Sequence, residues 1–347
     1  MRRIAIHRPG AYDRLMLEEC ATPGPGPGQV RIAVGAAGVN YADTSVRMGL
    51  YSSAKENVGW PITPGFEWAG KVDACGEGVS DLQIGADVYG VSLFGAYASH
   101  VVVPRYCVYP RPPSLALEQA GGFPAVALTA WYALCDLAHP RPGHTLLVHS
   151  AAGGVGGMLL QVGRALGCRT IGVVGAPHKV AVAESLGADV VIDKSREDLW
   201  ARVKQESPPG GVHVALDANG VSTLWQSYVH MRKPGKLVCY GFSSMLPKRG
   251  GRITLLGMLR LIRLYLRTPR FNPFKMSNSS KCVMCFNLSY MFEEQGLLED
   301  GMTRLAGWLE SGQLKPLPVQ TYPLEQVGEA HRAIESGQTT GKLVLIP

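Results

Sequence analysis

A glycine-rich turn between a strand-like and a helix-like segment constrains the fold of this chain most strongly. Residues 144–150 (HTLLVHS) are an apolar run, residues 151–156 (AAGGVG) are the turn, and residues 157–167 (GMLLQVGRALG) are an amphipathic stretch that stops at a glycine. This order predicts the first strand–turn–helix unit of a parallel sheet. Four further strand candidates follow, with helical patterns between most of them: 170–174, 190–192, 212–216 and 236–240. Such alternation calls for an α/β fold with a doubly wound parallel sheet.

The rest of the chain predicts a second, β-rich unit. Residues 1–120 of the chain alternate short β-branched runs with glycine and proline, which is typical of an irregular barrel. The segment that follows has a helical pattern. A length of 347 residues suits about two domains. Eight cysteines at irregular spacings indicate a reducing cytoplasm rather than a disulfide scaffold. We expect neither a signal peptide nor a membrane span, because no long apolar run occurs.

The charge is concentrated in one segment. No Asp or Glu occurs between Asp217 and Glu293, whereas that interval holds twelve Lys or Arg residues. One basic insertion does not make a nucleic-acid-binding face, so we expect no nucleic acid partner. Residues 252–270 predict a cationic amphipathic helix that places Arg260, Arg263 and Arg267 close together. Three interpretations stay open for it: a lid over a substrate cleft, a surface that lies on anionic lipid, and a dock for an acidic partner such as an acyl carrier protein.

In its strand–turn–helix context the glycine turn predicts a dinucleotide site. Gly153 would let a pyrophosphate approach the backbone, Gly156 would let helix and strand pack closely, and Gly154 and Val155 open the helix whose N–H groups face the phosphates. Ala151 replaces the first glycine of the usual pattern.

The choice of coenzyme follows from the next strand. Residues 175–179 (GAPHK) contain no carboxylate to hold a ribose hydroxyl, but they contain Lys179, and Lys194 follows the third strand. Lysines attract a 2′-phosphate that an acid would repel, so we predict NADPH.

Five short motifs are spread along the chain: residues 38–43 (GVNYAD), 64–70 (PGFEWAG), 85–88 (GADV), 128–130 (LTA) and 152–156 (AGGVG). Together they resemble the medium-chain dehydrogenase/reductase superfamily, and the resemblance covers nearly the whole chain. Within this superfamily, the sequence looks like the quinone oxidoreductase branch, and most like homologues of the synaptic-vesicle amine transport protein. The resemblance implies a GroES-like catalytic domain over residues 1–121, completed by 289–347, and a Rossmann domain over 122–288.

The residues argue against a metal. Zinc-dependent members of the superfamily have Cys and His where Asn40 and Phe66 stand here, and neither Asn nor Phe supplies the ligand that zinc prefers. Cys282 and Cys285 lie on a predicted strand, where residues three apart face opposite sides, so we interpret both as structural, because buried cysteine usually acts as a small hydrophobe. We predict no metal. Without one, reduction of an electron-poor quinone or enone is easier than oxidation of an alcohol.

By resemblance, Asn40 and Thr129 lie near the nicotinamide and its ribose, and Tyr51 lines the substrate pocket and donates to a carbonyl oxygen. Ser45 replaces the family's other pocket tyrosine, which widens the pocket. We expect Asp43 and Arg47 to form a structural pair or caps, and Glu67 to be a structural carboxylate. The family brings backbone groups to the carboxamide of the coenzyme at positions that are occupied here by Gly241, Phe242, Phe286, Asn287 and Leu288, and Lys342 is a further candidate.

These expectations leave three functions open. The first is an NADPH-dependent, zinc-free reductase of quinones or enones. The second keeps this chemistry for an enoyl thioester on a carrier protein or coenzyme A. The third is a membrane-associated, lipid-binding homologue with vestigial activity. The resemblance also implies a homodimer through the edge strand near residues 281–286.

Overall fold

The computed structural model describes residues 1–247 and 253–347. The strands, numbered along the chain, are β1 (Arg2–Ala5), β2 (Met16–Glu19), β3 (Gln29–Val39), β4 (Glu67–Cys75), β5 (Asp87–Val91), β6 (His100–Pro104), β7 (Val108–Pro110), β8 (Thr145–His149), β9 (Arg169–Val174), β10 (Val190–Asp193), β11 (Val212–Asp217), β12 (Met231–Cys239), β13 (Lys281–Cys285), β14 (Val319–Pro323) and β15 (Lys342–Ile346). The helices are α1 (Tyr41–Arg47), α2 (Ser52–Asn57), α3 (Leu117–Gly121), α4 (Pro124–Trp131), α5 (Gly154–Ala165), α6 (Val180–Ser185), α7 (Leu199–Glu206), α8 (Leu224–Val229), α9 (Leu255–Leu266), α10 (Pro273–Ser279), α11 (Gln295–Glu310) and α12 (Val327–Ser336).

A six-stranded parallel sheet forms the second half of the fold, in the order β10-β9-β8-β11-β12-β13. Alternate residues of β8 point to opposite faces. Leu146 and Val148 join the larger apolar core, whereas Leu147 joins a smaller core that includes residues of α7 and α8. Helices therefore cover both faces, and β8 lies between β9 and β11, where the strand order reverses. Ligands of such sheets bind at this reversal, beyond the carboxyl ends of the strands.

A seven-stranded, mainly antiparallel sheet forms the β-rich part, in the order β14-β15-β3-β4-β5-β7, with β6 also on β3. The C-terminal strand β15 pairs antiparallel with β3, where Leu343 faces Val39. The bridge between Gly153 and Gly341 connects this sheet to the glycine turn that follows β8. The end of the chain thus returns to the first sheet and approaches the start of α5. The residue boundaries of the two predicted domains stay predictions.

The predicted fold class is confirmed, and the elements differ from expectation mainly at their ends. Strand β12 begins at Met231, five residues before the predicted start. The long helical segment breaks into α3, α4 and a π-helical stretch, Tyr132–Ala138. Pro124 accounts for one break, because it occupies the first turn of α4, where its missing N–H is not needed.

The interpretation of the two strand cysteines as buried hydrophobes is wrong. Cys282 and Cys285 are both exposed. Strand β13 is the last strand of its sheet, so one of its edges and parts of both faces remain uncovered among the described residues. Local sequence shows that a segment is a strand, but it does not show that the strand lies at the edge.

Candidate active site

The glycine turn places the free end of α5 at the carboxyl end of the parallel sheet, in the region bordered by Gly153, Asn219, Phe242 and Tyr51, which is called the cleft below. Ser150 adopts a left-handed backbone conformation (φ 56°) directly after β8, and Gly153 is the N-cap residue of α5. No side chain caps this end, and Gly153, Gly154 and Val155 are partly exposed. The N–H groups of the first helical turn have no partner within a helix and carry partial positive charge. The turn is therefore built to bind an anionic group such as a pyrophosphate.

The three glycines of the turn differ in how much space a Cβ atom would have at each position. A Cβ on Gly156 would lie 2.2 Å from the carbonyl oxygen of Ser150, so only glycine lets α5 start this close to β8. A Cβ on Gly154 would lie 3.0 Å from a methyl group of Val126. On Gly153 the nearest atom would be 3.3 Å away, which is tight but leaves its outer side open. Gly156 therefore has the predicted packing role, and the role of Gly153 at a pyrophosphate stays a prediction.

Two lysines stand at the carboxyl ends of β9 and β10. The Lys179 ammonium donates to the carbonyl oxygen of Gly337 at 2.7 Å. Burial, and then the nearby charge of Lys194, lowers the pKa of Lys179. The side chain of Lys194 crosses Gly175, with its Cε 3.4 Å from where a Cβ would be. Asp193 precedes it, but one of its oxygens accepts hydrogen bonds from the backbone N–H and hydroxyl of Ser195. The two ammonium groups lie near each other beyond the ends of these strands, and their role at a 2′-phosphate stays a prediction.

Asn219 is a site residue that the sequence reasoning missed. Its side-chain oxygen accepts hydrogen bonds from Ser150 Oγ at 3.2 Å and from Ser243 Oγ at 3.5 Å. It therefore connects the segments that follow β8, β11 and β12 at the switch point of the sheet. Its position two residues beyond the end of a parallel strand was the signal that could have identified it.

The segments after β12 and β13 border the same cleft. Phe242 is 42% exposed and packs on Gly220, where a Cβ would lie 2.4 Å from its ring. A Cβ on Gly241 would lie 2.9 Å from the Ala218 carbonyl oxygen. Phe286 is partly buried, and its ring meets that of Tyr132 edge-on at 4.9 Å. Leu288 begins a 3-10 turn that Asn287 caps, and it packs partly buried against the larger core.

Asn40 is half-buried and forms a polar cluster with two buried charged side chains, Glu67 and Lys342. Asn40 Nδ2 donates to Glu67 Oε1 at 2.8 Å, and Lys342 Nζ donates to Asn40 Oδ1 at 2.7 Å. Lys342 Nζ also lies 2.6 Å from Glu67 Oε1 and 2.9 Å from the Val39 carbonyl oxygen. All three donors of Lys342 are engaged within the protein, where they fix Asn40, and its predicted contact with the coenzyme stays a prediction. Glu67 has the predicted structural role.

The cluster does not fit a zinc ion. An ammonium group already provides the positive charge between Asn40 and Glu67, and the next motif position holds the apolar ring of Phe66. Zinc prefers thiolate and imidazole ligands, and this position has neither. Among residues 1–247 and 253–347, no group of three or more His, Cys, Asp or Glu side chains could hold a metal ion.

Thr129 is connected to Asn40 through the start of α4. The Thr129 hydroxyl donates to the Ala125 carbonyl oxygen at 2.7 Å, and the Ala125 N–H donates to Glu67 Oε2 at 2.9 Å. Glu67 in turn holds Asn40. The two residues that the resemblance places at the nicotinamide therefore share one carboxylate. The Thr129 oxygen can still accept a hydrogen bond, because its proton is the only part used.

Tyr51 meets the parallel-sheet half of the molecule across the cleft. Its hydroxyl donates to Asn287 Oδ1 at 2.6 Å, and its ring lies 5.6 Å from that of Phe66. Phe94 and Phe292 extend this aromatic wall. Burial raises the pKa of Tyr51, so the phenol is neutral and able to donate. The structure thus brings together two residues, Tyr51 and Asn287, that the resemblance assigned to substrate and coenzyme.

The expectation that Asp43 and Arg47 form a structural pair or caps is confirmed for Asp43, which caps the start of α1. Asp43 accepts from the backbone N–H of Asn40 at 2.8 Å, at the start of α1, and from the Tyr97 hydroxyl at 2.8 Å. Burial raises the pKa of Asp43 to about 7. Arg47 instead forms a buried ion pair with Glu335 on α12, at 2.6 Å. Its partner lies too far along the chain for local spacing to indicate it.

Comparisons with known proteins agree with this geometry. A family model described as "Alcohol dehydrogenase GroES-like domain" matches residues 26–113, and one described as "Zinc-binding dehydrogenase" matches residues 186–345. The synaptic vesicle membrane protein VAT-1 homologue of Rattus norvegicus is 33% identical over 97% of this chain and 82% of its own length. The chain belongs to the quinone oxidoreductase branch of the medium-chain dehydrogenase/reductase superfamily, near the VAT-1 homologues.

Two further members of the superfamily bear on the chemistry. A 2-haloacrylate reductase of Burkholderia sp is 31% identical over 99% of this chain and 98% of its own length. The quinone oxidoreductase of Escherichia coli, whose structure was determined in complex with NADPH, has a TM-score of 0.86 and 29% identity, with all of both chains covered. The chain is therefore an oxidoreductase. The word zinc in the family description does not carry over to the Asn40 cluster, where the donor atoms are unsuited to that metal.

Proposed function

We propose that this chain is an NADPH-dependent, metal-free reductase of conjugated carbonyl compounds, namely quinones or enones. The observation that carries the proposal is the contact of Tyr51 with Asn287, which puts a neutral hydroxyl donor and an aromatic wall at the carboxyl end of the parallel sheet. The NADPH-bound quinone oxidoreductase and the 2-haloacrylate reductase among its relatives support the coenzyme and the reaction class.

The residues present fit the coenzyme. The backbone of Gly153, Gly154 and Val155 would hold the pyrophosphate, and Lys179 and Lys194 would hold the 2′-phosphate. When bound, NADPH supplies a hydride. Asn40 and Thr129, fixed through Glu67, would orient the reacting end of the coenzyme, and the aromatic side chains exclude water from the neighbouring space.

The substrate oxygen is where the protein contributes to the chemistry. Reduction of a conjugated carbonyl places negative charge on that oxygen, and a donor aimed at it lowers the barrier. The Tyr51 hydroxyl can turn from Asn287 to this oxygen. A proton from solvent then completes the product, so no acidic side chain is required.

The test is coenzyme oxidation with a panel of quinones, enones and enoyl thioesters. We expect turnover with quinones or enones, and about a 100-fold lower kcat for Tyr51→Phe. Tyr290→Phe is the matched control, because Tyr290 is an exposed tyrosine whose hydroxyl bonds Glu56. Turnover with coenzyme A or carrier-bound enoyl thioesters alone would replace this proposal by the second function. Equal rates for the wild type and Tyr51→Phe would remove Tyr51 from the mechanism.

Helix α9 favours membrane-surface association as a second candidate function. None of its residues is buried, and seven of its large apolar side chains are exposed to between 46% and 81%, which weakens the interpretation as a lid. The exposed members are Leu255, Leu256, Met258, Leu259, Ile262, Tyr265 and Leu266. Arg252, the first residue of the predicted segment, lies outside the described residues. No helix of the described residues is long and apolar enough to cross a membrane.

Charge selects the partner of this face. Arg260 and Arg263 on α9 and Arg267 at its C-cap are exposed, and the sequence has no acid from residue 218 to residue 292. A second copy of the same face would bring arginines against arginines. A broad apolar face with cations beside it is instead typical of a helix that lies on an anionic bilayer, where arginine side chains reach the headgroups.

Flotation with vesicles tests the surface. We expect binding to phosphatidylcholine vesicles that contain phosphatidylserine and little binding to phosphatidylcholine alone. Replacing Arg260, Arg263 and Arg267 by Glu should abolish it. As the control, Lys55, Lys204 and Lys315, which are all exposed, are replaced by Glu. This variant has the same change in net charge and should still bind the vesicles. Failure to float, with capture by an acidic acyl carrier protein, would assign the surface to that partner instead.

The homodimer remains a proposal that rests on the resemblance. Among the described residues β13 pairs only with β12, so its outer edge is available to a second copy. Sedimentation of the purified chain tests this: a monomer at micromolar concentration would contradict it.

A further inference from the structure

Two cysteines occupy facing positions on the last two strands of the parallel sheet. Cys239 on β12 and Cys285 on β13 are register partners, and partners on adjacent strands point to the same face. That face is shared by Leu237 and Val283, which pack in the smaller core. Adjacent strands lie about 4.8 Å apart, which falls in the range of Cα separations that a disulfide spans.

The two thiols differ in exposure and in acidity. Cys239 is 1% exposed, whereas Cys285 is exposed. The neighbouring Cys239 thiol lowers the pKa of Cys285 to about 7, against the opposing effect of partial burial. At pH 7 about half of such a thiol is thiolate, against about 3% for an ordinary cysteine. Allowing for the weaker nucleophilicity of a more acidic thiol, Cys285 should react about three-fold faster.

The pair lies next to the coenzyme cleft. The Cys239 carbonyl oxygen accepts a hydrogen bond from the Phe286 N–H at 3.3 Å, and Cys239 Sγ lies 3.5 Å from the carbonyl oxygen of Gly241. A covalent bond between the strands would therefore act on the two segments, beginning at Gly241 and Phe286, that border the cleft. Pairing of the β13 edge with a second copy would use the backbone groups of that edge. The Cys285 side chain points from the face of the sheet instead, so such pairing would not use the thiol.

We propose that Cys239 and Cys285 form a redox modification site. Hydroperoxides oxidise the two thiols to an intrachain disulfide, and this disulfide weakens coenzyme binding. The effect on the coenzyme rests on the proposed function, whereas the disulfide does not.

The chemistry balances in two steps. The Cys285 thiolate attacks the peroxide oxygen, the O–O bond breaks, the alkoxide takes up a proton, and Cys285 becomes a sulfenic acid. Cys239 then loses its proton and attacks the Cys285 sulfur, and the displaced hydroxide leaves as water. Two thiols are oxidised by two electrons while one hydroperoxide is reduced to an alcohol and water, or to two waters when the oxidant is hydrogen peroxide. An added dithiol reverses the reaction.

Mass spectrometry of the full chain after hydrogen peroxide and alkylation tests the site. We expect an intrachain disulfide between Cys239 and Cys285, formed at the same rate in Cys282→Ser and absent in Cys285→Ser. Cys282 is the matched control, because it is exposed on the same strand but faces Lys236 rather than a cysteine. Oxidation of Cys285 to a sulfinic acid while Cys239 stays alkylatable, or disulfides only between two chains, would overturn the proposal.

NADPH titration before oxidation, after it, and after dithiothreitol tests the consequence. We expect affinity to fall at least about five-fold and to recover in the wild type and Cys282→Ser, with no change in Cys285→Ser. A disulfide that leaves the affinity unchanged would overturn the regulatory part. A reduced chain that does not bind NADPH would contradict the proposed function instead, and the disulfide result would still stand.

Discussion

Helices α5 and α9 each span twelve residues, and their surroundings are opposite. Helix α5 buries every residue from Gly156 to Gly163 against the parallel sheet, whereas α9 buries none. The first follows a turn in which Gly156 has no room for a side chain, because a Cβ there would lie 2.2 Å from the Ser150 carbonyl oxygen. The second begins at an ordinary threonine cap, where Thr254 Oγ1 accepts from the Gly257 N–H at 3.1 Å. The comparison shows that an apolar face in a helical sequence predicts burial only where other elements of the fold pack against that face.

The largest expected effect is on the free energy of unfolding, when a glycine of each helix is replaced by alanine. Gly156→Ala should lower the free energy of unfolding by about 3 kcal/mol, because the added Cβ would meet the Ser150 carbonyl oxygen. Gly257→Ala should raise stability by up to about 1 kcal/mol, because its nearest neighbour would be the Thr254 hydroxyl at 3.3 Å and alanine favours helix. Urea denaturation of both variants measures the difference. Equal losses would show that α5 is not sterically distinguished.

The next effect concerns binding rather than stability. Gly153→Asp should weaken NADPH binding at least about 100-fold, or roughly 2.7 kcal/mol, because it places a negative charge where the pyrophosphate would bind. Leu256→Asp puts the same charge on exposed α9 and should leave NADPH affinity unchanged. Fluorescence titration with the reduced coenzyme measures both. Unchanged affinity for Gly153→Asp would remove the assignment of the turn.

A smaller effect should come from the lysine beyond β9. Lys179→Glu should weaken NADPH about tenfold and NADH far less, because only NADPH carries the 2′-phosphate. Lys204→Glu, an exposed reversal on α7, should alter neither. The same loss for both coenzymes would contradict the role of Lys179 at the 2′-phosphate.

What the sequence predicts well is local. The strand, turn and helix around Gly153 occupy one short stretch, so their spacing alone predicts the fold of that unit and the turn at which we propose that an anionic group binds. The ion pair between Glu67 and Lys342 joins a β-rich strand to the last strand of the chain, and no short-range spacing signals it. The ion pair between Arg47 and Glu335 likewise joins residues far apart in the sequence, so local spacing does not predict it. Asn219 is intermediate, because its place after a parallel strand is visible in the sequence while its serine partners are not.

The smallest effect on stability should come from the apolar face of α9 itself. Leu255→Gln combined with Leu256→Gln should change the free energy of unfolding by less than about 0.5 kcal/mol, because both side chains are about 80% exposed in the wild type. Replacing two buried leucines of α5, Leu159 and Leu160, by Gln should instead unfold the chain, since each leaves an unpaired amide in an apolar core. Thermal unfolding measures both. A large loss for the α9 variant would mean that the protein itself covers this face in solution, and vesicle binding would then need another surface.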